Sequence, residues 1–219
     1  MANRPDPSRR SFLDVRFQLA LLSALLLSSC LDLSAALEIR PDGSGRMELD
    51  YSMPSVLGNL DADGDTRRYL PLPAERQGFE TLVADLDGLR LESWERTVLE
   101  PTTAGVERFR IRAAVSFDAP ASLAAFAAAA SGGEVRGGTS DARGFELVLN
   151  PGRGPVDGGF LAFLAAAFPE AACSFTVRLP ARGTSNRGAF DAAGTTLSWS
   201  LPLQEILSAR DILEWTVRW

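Results

Sequence analysis

The sequence predicts an α+β fold, with a single curved antiparallel sheet of about 7–9 strands packed by about three helices. Apolar and polar residues alternate with a period of two over most of the chain after residue 30, as in strands with one buried face. Clusters rich in Gly and Pro separate these segments, as turns do. A few segments carry helix start and stop signals instead.

The first alternating segment leads into a hairpin. Leu31, Leu33, Ala35, Leu37 and Ile39 share one face, and the cluster at 41–45 (Pro-Asp-Gly-Ser-Gly) is typical of a turn. Alternation then resumes over residues 47–53. We therefore expect two antiparallel strands that start directly after residue 30.

A second hairpin is expected over residues 89–117. Its first arm loses phase at Ser93-Trp94, which indicates a β-bulge, and its turn lies at 101–105. The second arm places five apolar residues inward: Phe109, Ile111, Ala113, Val115 and Phe117. Further strands are predicted at 145–149, 173–179, 195–201 and 212–219.

The last of these strands alternates cleanly. Leu213, Trp215, Val217 and Trp219 share one face, so we expect this strand to belong to the core rather than to a tail.

Helices are predicted at Ala74–Leu86, Pro120–Ala130 and Asp157–Phe168, with a short helical turn at Leu203–Ala209. The second helix is mostly alanine, with Leu123 and Phe126 as its bulky residues. Such a helix either packs closely on the sheet or leaves a hydrophobic ligand cavity.

Residues 1–29 are interpreted as a lipoprotein signal peptide, followed by a single extracytoplasmic domain over 30–219. A basic start precedes an apolar run of about a dozen residues, too short to span a bilayer. The run ends in Leu27-Ser28-Ser29-Cys30, which resembles a bacterial lipobox. In that class of signal, Cys30 is lipidated and becomes the new N-terminus.

The export route has two interpretations. Ser8-Arg9-Arg10-Ser11-Phe12-Leu13 resembles the twin-arginine motif, although Asp14 stands where Lys is usual. Arginine pairs also occur in ordinary secretory signals. Either route predicts a location in the bacterial cell envelope, with the membrane contacted through acyl chains on Cys30.

Composition narrows the chemistry. The chain has 22 basic residues, all arginine, against 28 acidic residues and no histidine, for a net charge of −6. Histidine-based catalysis and lysine Schiff bases are therefore excluded, and an acidic chain is a poor nucleic-acid binder. The other cysteine, Cys173, lies on the apolar face of a predicted strand, so we expect it to be buried.

No motif specifies a catalytic residue, a cofactor or a metal. The Asp61–Asp65 segment fails the EF-hand spacing and is interpreted as a solvated loop. Arg108, Arg110 and Arg112 form a stripe that suits either a lipid head group or cross-strand ion pairs. The expected hairpin register places Glu95 opposite Arg110, which favours ion pairs.

The chain after Cys30 resembles the LppM-type bacterial lipoprotein domain. The likeness rests on the strand after Cys30, the turn at 41–45, the segment Phe175–Pro180 before Asn186-Arg187-Gly188, and Thr195–Trp199. The resemblance implies an α+β domain similar to START-like lipid-binding folds and a role with envelope lipids or glycolipids. It implies no catalytic residues.

The sequence is therefore compatible with two functions. One is a lipid-anchored binding module for an apolar or amphiphilic envelope molecule, with no ligand-binding residue assigned. The other is a structural or assembly lipoprotein that docks a protein partner. The first is favoured by an apolar interior cavity, and the second by a solid core with an exposed apolar patch.

Overall fold

The computed structural model describes residues 33–55, 72–101, 107–130, 143–150, 162, 171–209, 211 and 213–219. Within these ranges it shows ten strands and three helices. The strands are β1 (Leu33–Ile39), β2 (Gly45–Pro54), β3 (Leu89–Leu99), β4 (Arg108–Phe117), β5 (Gly144–Asn150), β6 (Ala172–Arg178), β7 (Thr184–Ser185), β8 (Ala189–Phe190), β9 (Thr196–Pro202) and β10 (Leu213–Arg218). The helices are α1 (Arg76–Ala84), α2 (Pro120–Ala130) and α3 (Leu203–Ser208). The α+β class is confirmed.

The described strands form two sheets rather than the one expected. The large sheet has the order β3-β4-β2-β1-β6-β9-β8, and the small sheet has the order β5-β10-β7. All adjacent pairs are antiparallel except β1 and β6, which run parallel. Alternation shows which side chains are buried but not which strand lies alongside, so neither feature was visible in the sequence.

Both expected hairpins are present. In the first, the Arg40 N–H donates to the Ser44 carbonyl at 2.8 Å, and Gly43 adopts a φ of +84° that favours glycine. Gly45 opens β2 because a Cβ there would overlap the Glu38 carbonyl and the Phe117 ring. In the second, a register shift between Leu91 and Ser93 confirms the bulge.

Helices cover the core: α1 packs mainly on β3 of the large sheet, and α2 packs mainly on β5 of the small sheet. Phe79 and Val83 of α1 and Leu123 and Phe126 of α2 are buried in this core. The alanines at 124 and 127 pack against the same core, which is close packing at these positions. The expected helix at 74–86 is shorter in the structure, whereas that at 120–130 keeps its predicted bounds. The helix expected at 157–168 lies, apart from residue 162, outside the described residues.

An aromatic cluster joins the two sheets. Trp215 of β10 is fully buried, with its ring centroid 5.1 Å from those of both Phe175 and Trp199 and 5.8 Å from that of Phe145. Its indole N–H donates to the Ser185 hydroxyl at 3.1 Å. Phe175 and Trp199 belong to the large sheet and Phe145 to the small one. The predicted core role of the final strand is therefore confirmed, and we call these four residues the aromatic joint.

The segment 184–190 crosses between the sheets. Its first part pairs with β10 in the small sheet, and its second part pairs with β9 in the large sheet. Between them, the Asn186 side chain accepts the Thr216 N–H at 2.9 Å and donates to the Glu214 carbonyl at 3.3 Å.

Cys173, on β6, is 7% exposed, as predicted.

Candidate functional site

The predicted signal and lipidation residues lie outside the described residues. They are Arg9, Arg10, Leu27, Ser28, Ser29 and Cys30. The Asp61–Asp65 segment also lies outside. Among the described residues, β1 starts at Leu33, the third residue after Cys30 in the sequence, and β1 is the central strand of the large sheet.

The outer side of the large sheet is polar, and we call it the polar face. On β1, β2, β6 and β9 the odd-numbered residues point inward and the even-numbered residues point outward. Adjacent strands place the outward residues in rows, such as Asp50, Ser34, Ser174 and Ser200. In that row the Ser174 and Ser200 hydroxyl oxygens lie 3.2 Å apart.

The arginine stripe on β4 forms ion pairs, but with a different partner from the one expected. Thr97, not Glu95, lies opposite Arg110, because the two arms pair continuously from Leu99 opposite Arg108, which differs from the register expected across the predicted turn. The partner is Asp50 of β2: Arg110 Nε lies 2.6 Å from its Oδ1, and Nη2 lies 2.5 Å from its Oδ2. Arg112 Nε also donates to Oδ2, at 3.3 Å. Cross-strand pairing is thus correct in kind, and the predicted Glu95–Arg110 pair is wrong.

Electrostatics at this cluster favour the charged forms. The hydrogen bonds from Arg110 hold the pKa of Asp50 below its ordinary value, and the same bonds raise the pKa of Arg110. Elsewhere, hydrogen bonds from Ser44 lower the pKa of Asp42, and the Thr196 and Thr195 N–H groups lower that of Asp191. All four shifts strengthen a charge that is already present at neutral pH, so they serve turns and ion pairs rather than proton transfer.

A shallow groove of about 320 Å³ crosses the polar face over four strands. Its lining consists of Ala36, Leu37, Glu38, Arg46, Glu48, Thr176, Arg178 and Thr196. Ala36 lies between Glu48 and Thr176 in the register, and its small side chain leaves space for the groove at this point. Sequence reasoning missed this site because it depends on the β1–β6 pairing, which joins residues far apart in the chain.

The groove combines charges of both signs with hydroxyl groups. Arg46 is partly neutralised, since its Nη2 lies 3.3 Å from Glu48 Oε1 and its Nε lies 3.1 Å from Glu92 Oε2. Arg178 and Glu38 face each other in the register and form no ion pair with any described residue. The groove therefore offers a cation, a carboxylate and the Thr176 and Thr196 hydroxyls to a polar ligand.

The described part of the chain holds no group of three or more potential metal ligands. It also holds no helix with the length and apolar character needed to cross a bilayer.

Comparison with solved structures shows a similarity of fold. The chain is similar to the folded domain of the LppM protein of Mycobacterium tuberculosis, solved by NMR, with 14% sequence identity and a TM-score of 0.40. The alignment covers 87% of this chain and 90% of that domain. No family model and no curated protein sequence matches the chain.

Proposed function

We propose that this chain is a non-catalytic bacterial envelope lipoprotein, anchored through acyl chains on Cys30, whose domain binds the head group of an amphiphilic envelope lipid or glycolipid. The observation that carries the proposal is the short distance in sequence between Leu27-Ser28-Ser29-Cys30 and the central strand of the sheet. Three residues of extended chain span at most about 11 Å. A lipid on Cys30 would therefore hold the binding domain directly at the membrane surface.

The groove supports the ligand class. Envelope glycolipid and phospholipid head groups present hydroxyl and phosphate groups, which are recognised by arginine, carboxylate and hydroxyl side chains. Arg178, Glu38 and Thr176 supply these three kinds of group on neighbouring strands.

Fatty-acid labelling tests the anchor. Cells that express the wild-type chain are grown with a clickable fatty-acid analogue, beside cells that express Cys30→Ala. We expect label on the wild type alone. Equal labelling of both chains would refute lipidation at Cys30. Replacing Arg9 and Arg10 together by Lys tests the export route, since only twin-arginine export requires the arginine pair.

Native mass spectrometry of the purified, acylated chain tests the ligand. We expect a non-covalent lipid mass on the wild type that is lost in Ala36→Phe, which fills the groove with a residue suited to strands. Arg90→Ala, an exposed change on the edge strand, is the matched control and should keep the lipid. Loss from both variants, or lipid on neither the wild type nor the control, would contradict binding in the groove.

One observation favours the docking alternative. Among the described strands, β3 lies at the end of the large sheet and pairs on one side only, along 11 residues. A free strand edge of this length can accept a strand from a partner protein. A protein partner that co-purifies with the wild type and is lost on replacing Thr97 by Pro would support docking at this edge.

A further inference from the structure

The end of the β3–β4 hairpin extends past the start of β1. In the sheet register, Leu33 lies level with Tyr51, Ile111 and Arg96. Three more residue pairs follow on the hairpin, ending with Leu99 opposite Arg108. At about 3.3 Å per residue they extend the hairpin by about 10 Å. We call residues 97–99 and 108–110 the hairpin end.

This extension matches the length of the anchor. Cys30 precedes Leu33 by three residues, which span at most about 11 Å. β2 runs antiparallel to β1, and β4 runs antiparallel to β2. The hairpin end therefore extends beyond the N-terminal end of β1. The hairpin end extends about 10 Å beyond Leu33, and the anchor holds Leu33 within about 11 Å of the bilayer. The hairpin end can therefore reach the bilayer surface.

The hairpin end also carries an exposed apolar side chain. Among the described residues, Val98 is the one large hydrophobic residue that is exposed, at 74%. β3 lies three strands from β1, about 14 Å away at the usual strand spacing. Val98 would thus make a second contact at a distance from the anchor, which is what fixes an orientation.

We propose that the hairpin end rests on the bilayer that holds Cys30, with Val98 in the interfacial region and the groove turned away from the membrane. This inference rests on the proposed lipidation of Cys30. Glu38 and Arg178 of the groove lie level with each other, five residues beyond Leu33 along β1, about 17 Å farther from the membrane. A head group reaching the groove therefore comes from the aqueous side.

Charge does not drive this contact. Arg108 and Arg110 are offset by Glu100 and Glu107 at the same end of the hairpin, and Arg110 already pairs with Asp50. A single valine is also too small to bind a membrane unaided. The anchor makes the contact an intramolecular event with a high effective concentration. Neutral and anionic bilayers should therefore give the same result.

Thiol accessibility tests the orientation. Val98→Cys is introduced into the full chain, and the acylated protein in isolated membranes is treated with a charged, membrane-impermeant maleimide. Ala193→Cys is the matched control, since Ala193 is exposed in the turn before β9 at the opposite edge of the sheet. The unmodified chain gives the background, because Cys173 is buried.

We expect Val98→Cys to react at least ten-fold more slowly in membranes than in detergent, with Ala193→Cys unchanged. The protection should persist in vesicles of phosphatidylcholine alone and with phosphatidylglycerol added. Equal rates in membranes and detergent for a chain that stays membrane-bound would overturn the inference alone. Protection in cell membranes but not in vesicles would also overturn it and assign the site to a protein. A chain without fatty-acid label that washes off the membrane would instead refute the anchor.

Discussion

The aromatic joint and the hairpin end lie in the same small domain but are stabilised differently. The joint holds Trp215 fully buried among three aromatic rings, with its N–H bonded to Ser185. At the hairpin end, Val98 is exposed and Arg110 pairs with Asp50, whose carboxylate is partly exposed to water. Apolar burial contributes far more stability than exposed ion pairs, so the joint should decide whether the chain folds. Substitutions at the hairpin end should then have little effect on the stability of the fold.

The largest effect is expected from removing residues 211–219. This deletes β10, the middle strand of the small sheet, and leaves β5 and β7 without their partner. It also removes Trp215 from the joint. We expect no cooperative unfolding transition by circular dichroism. A truncated chain with an unchanged melting temperature would show that the joint is dispensable.

Trp215→Ala tests the joint with a single side chain. Truncating a fully buried aromatic residue costs about 3–5 kcal/mol, and here it also leaves the Ser185 hydroxyl without its indole donor. Urea denaturation measures the loss in the free energy of unfolding. Trp94→Ala, on the partly exposed edge strand, is the matched control and should cost less. Equal losses would remove the distinction between the two regions.

Cys173→Ser probes the core beside the joint. A hydroxyl is more strongly hydrated than a thiol, so burying it at this position should cost about 1–2 kcal/mol. Urea denaturation again gives the value. A bulky thiol reagent should modify the wild type only after denaturation, and rapid reaction of the native chain would contradict the burial.

Asp50→Asn probes the ion pairs near the hairpin end. Its side chain is 32% exposed, so we expect a loss of no more than about 1 kcal/mol at pH 7. Arg110 holds the pKa of Asp50 below the ordinary 3.8 of the unfolded chain, so the pair stabilises the fold above that pH. The contribution is lost as the pH falls through the folded-state pKa. The difference between Asp50→Asn and wild type should therefore shrink below pH 4, and a difference that grows there would be contrary to this pairing.

Val98→Ser should have the smallest effect on stability. The side chain is 74% exposed, and surface changes of this kind stay within about 0.5 kcal/mol. The melting temperature of the purified chain checks this. A loss above 1 kcal/mol would show that Val98 packs in the folded core, which would contradict the proposed membrane contact.

The sequence was most informative where one strand carries its own pattern. Alternation identified the buried faces of β1, β2, β4 and β10, and the loss of phase at Ser93-Trp94 identified the bulge. The turn at 41–45 followed from residue types that adopt turn conformations locally. The sequence did not place Arg110 opposite Thr97, because residue types that indicate a turn do not show at which residue pair the two arms begin to pair. It also missed the two short strands at 184–190.

By itself, the sequence determined the α+β class, which residues of most strands are buried, and the hypothesis of a lipid anchor at Cys30. Each of these depends on residues close together in the chain, where side-chain periodicity and local motifs are readable. The tertiary structure alone decided the division into two sheets, the parallel β1–β6 pair and the groove across it, and the ion pair of Arg110 with Asp50. These features depend on which strands lie side by side, and that is set by packing between distant segments around the aromatic joint rather than by any local pattern.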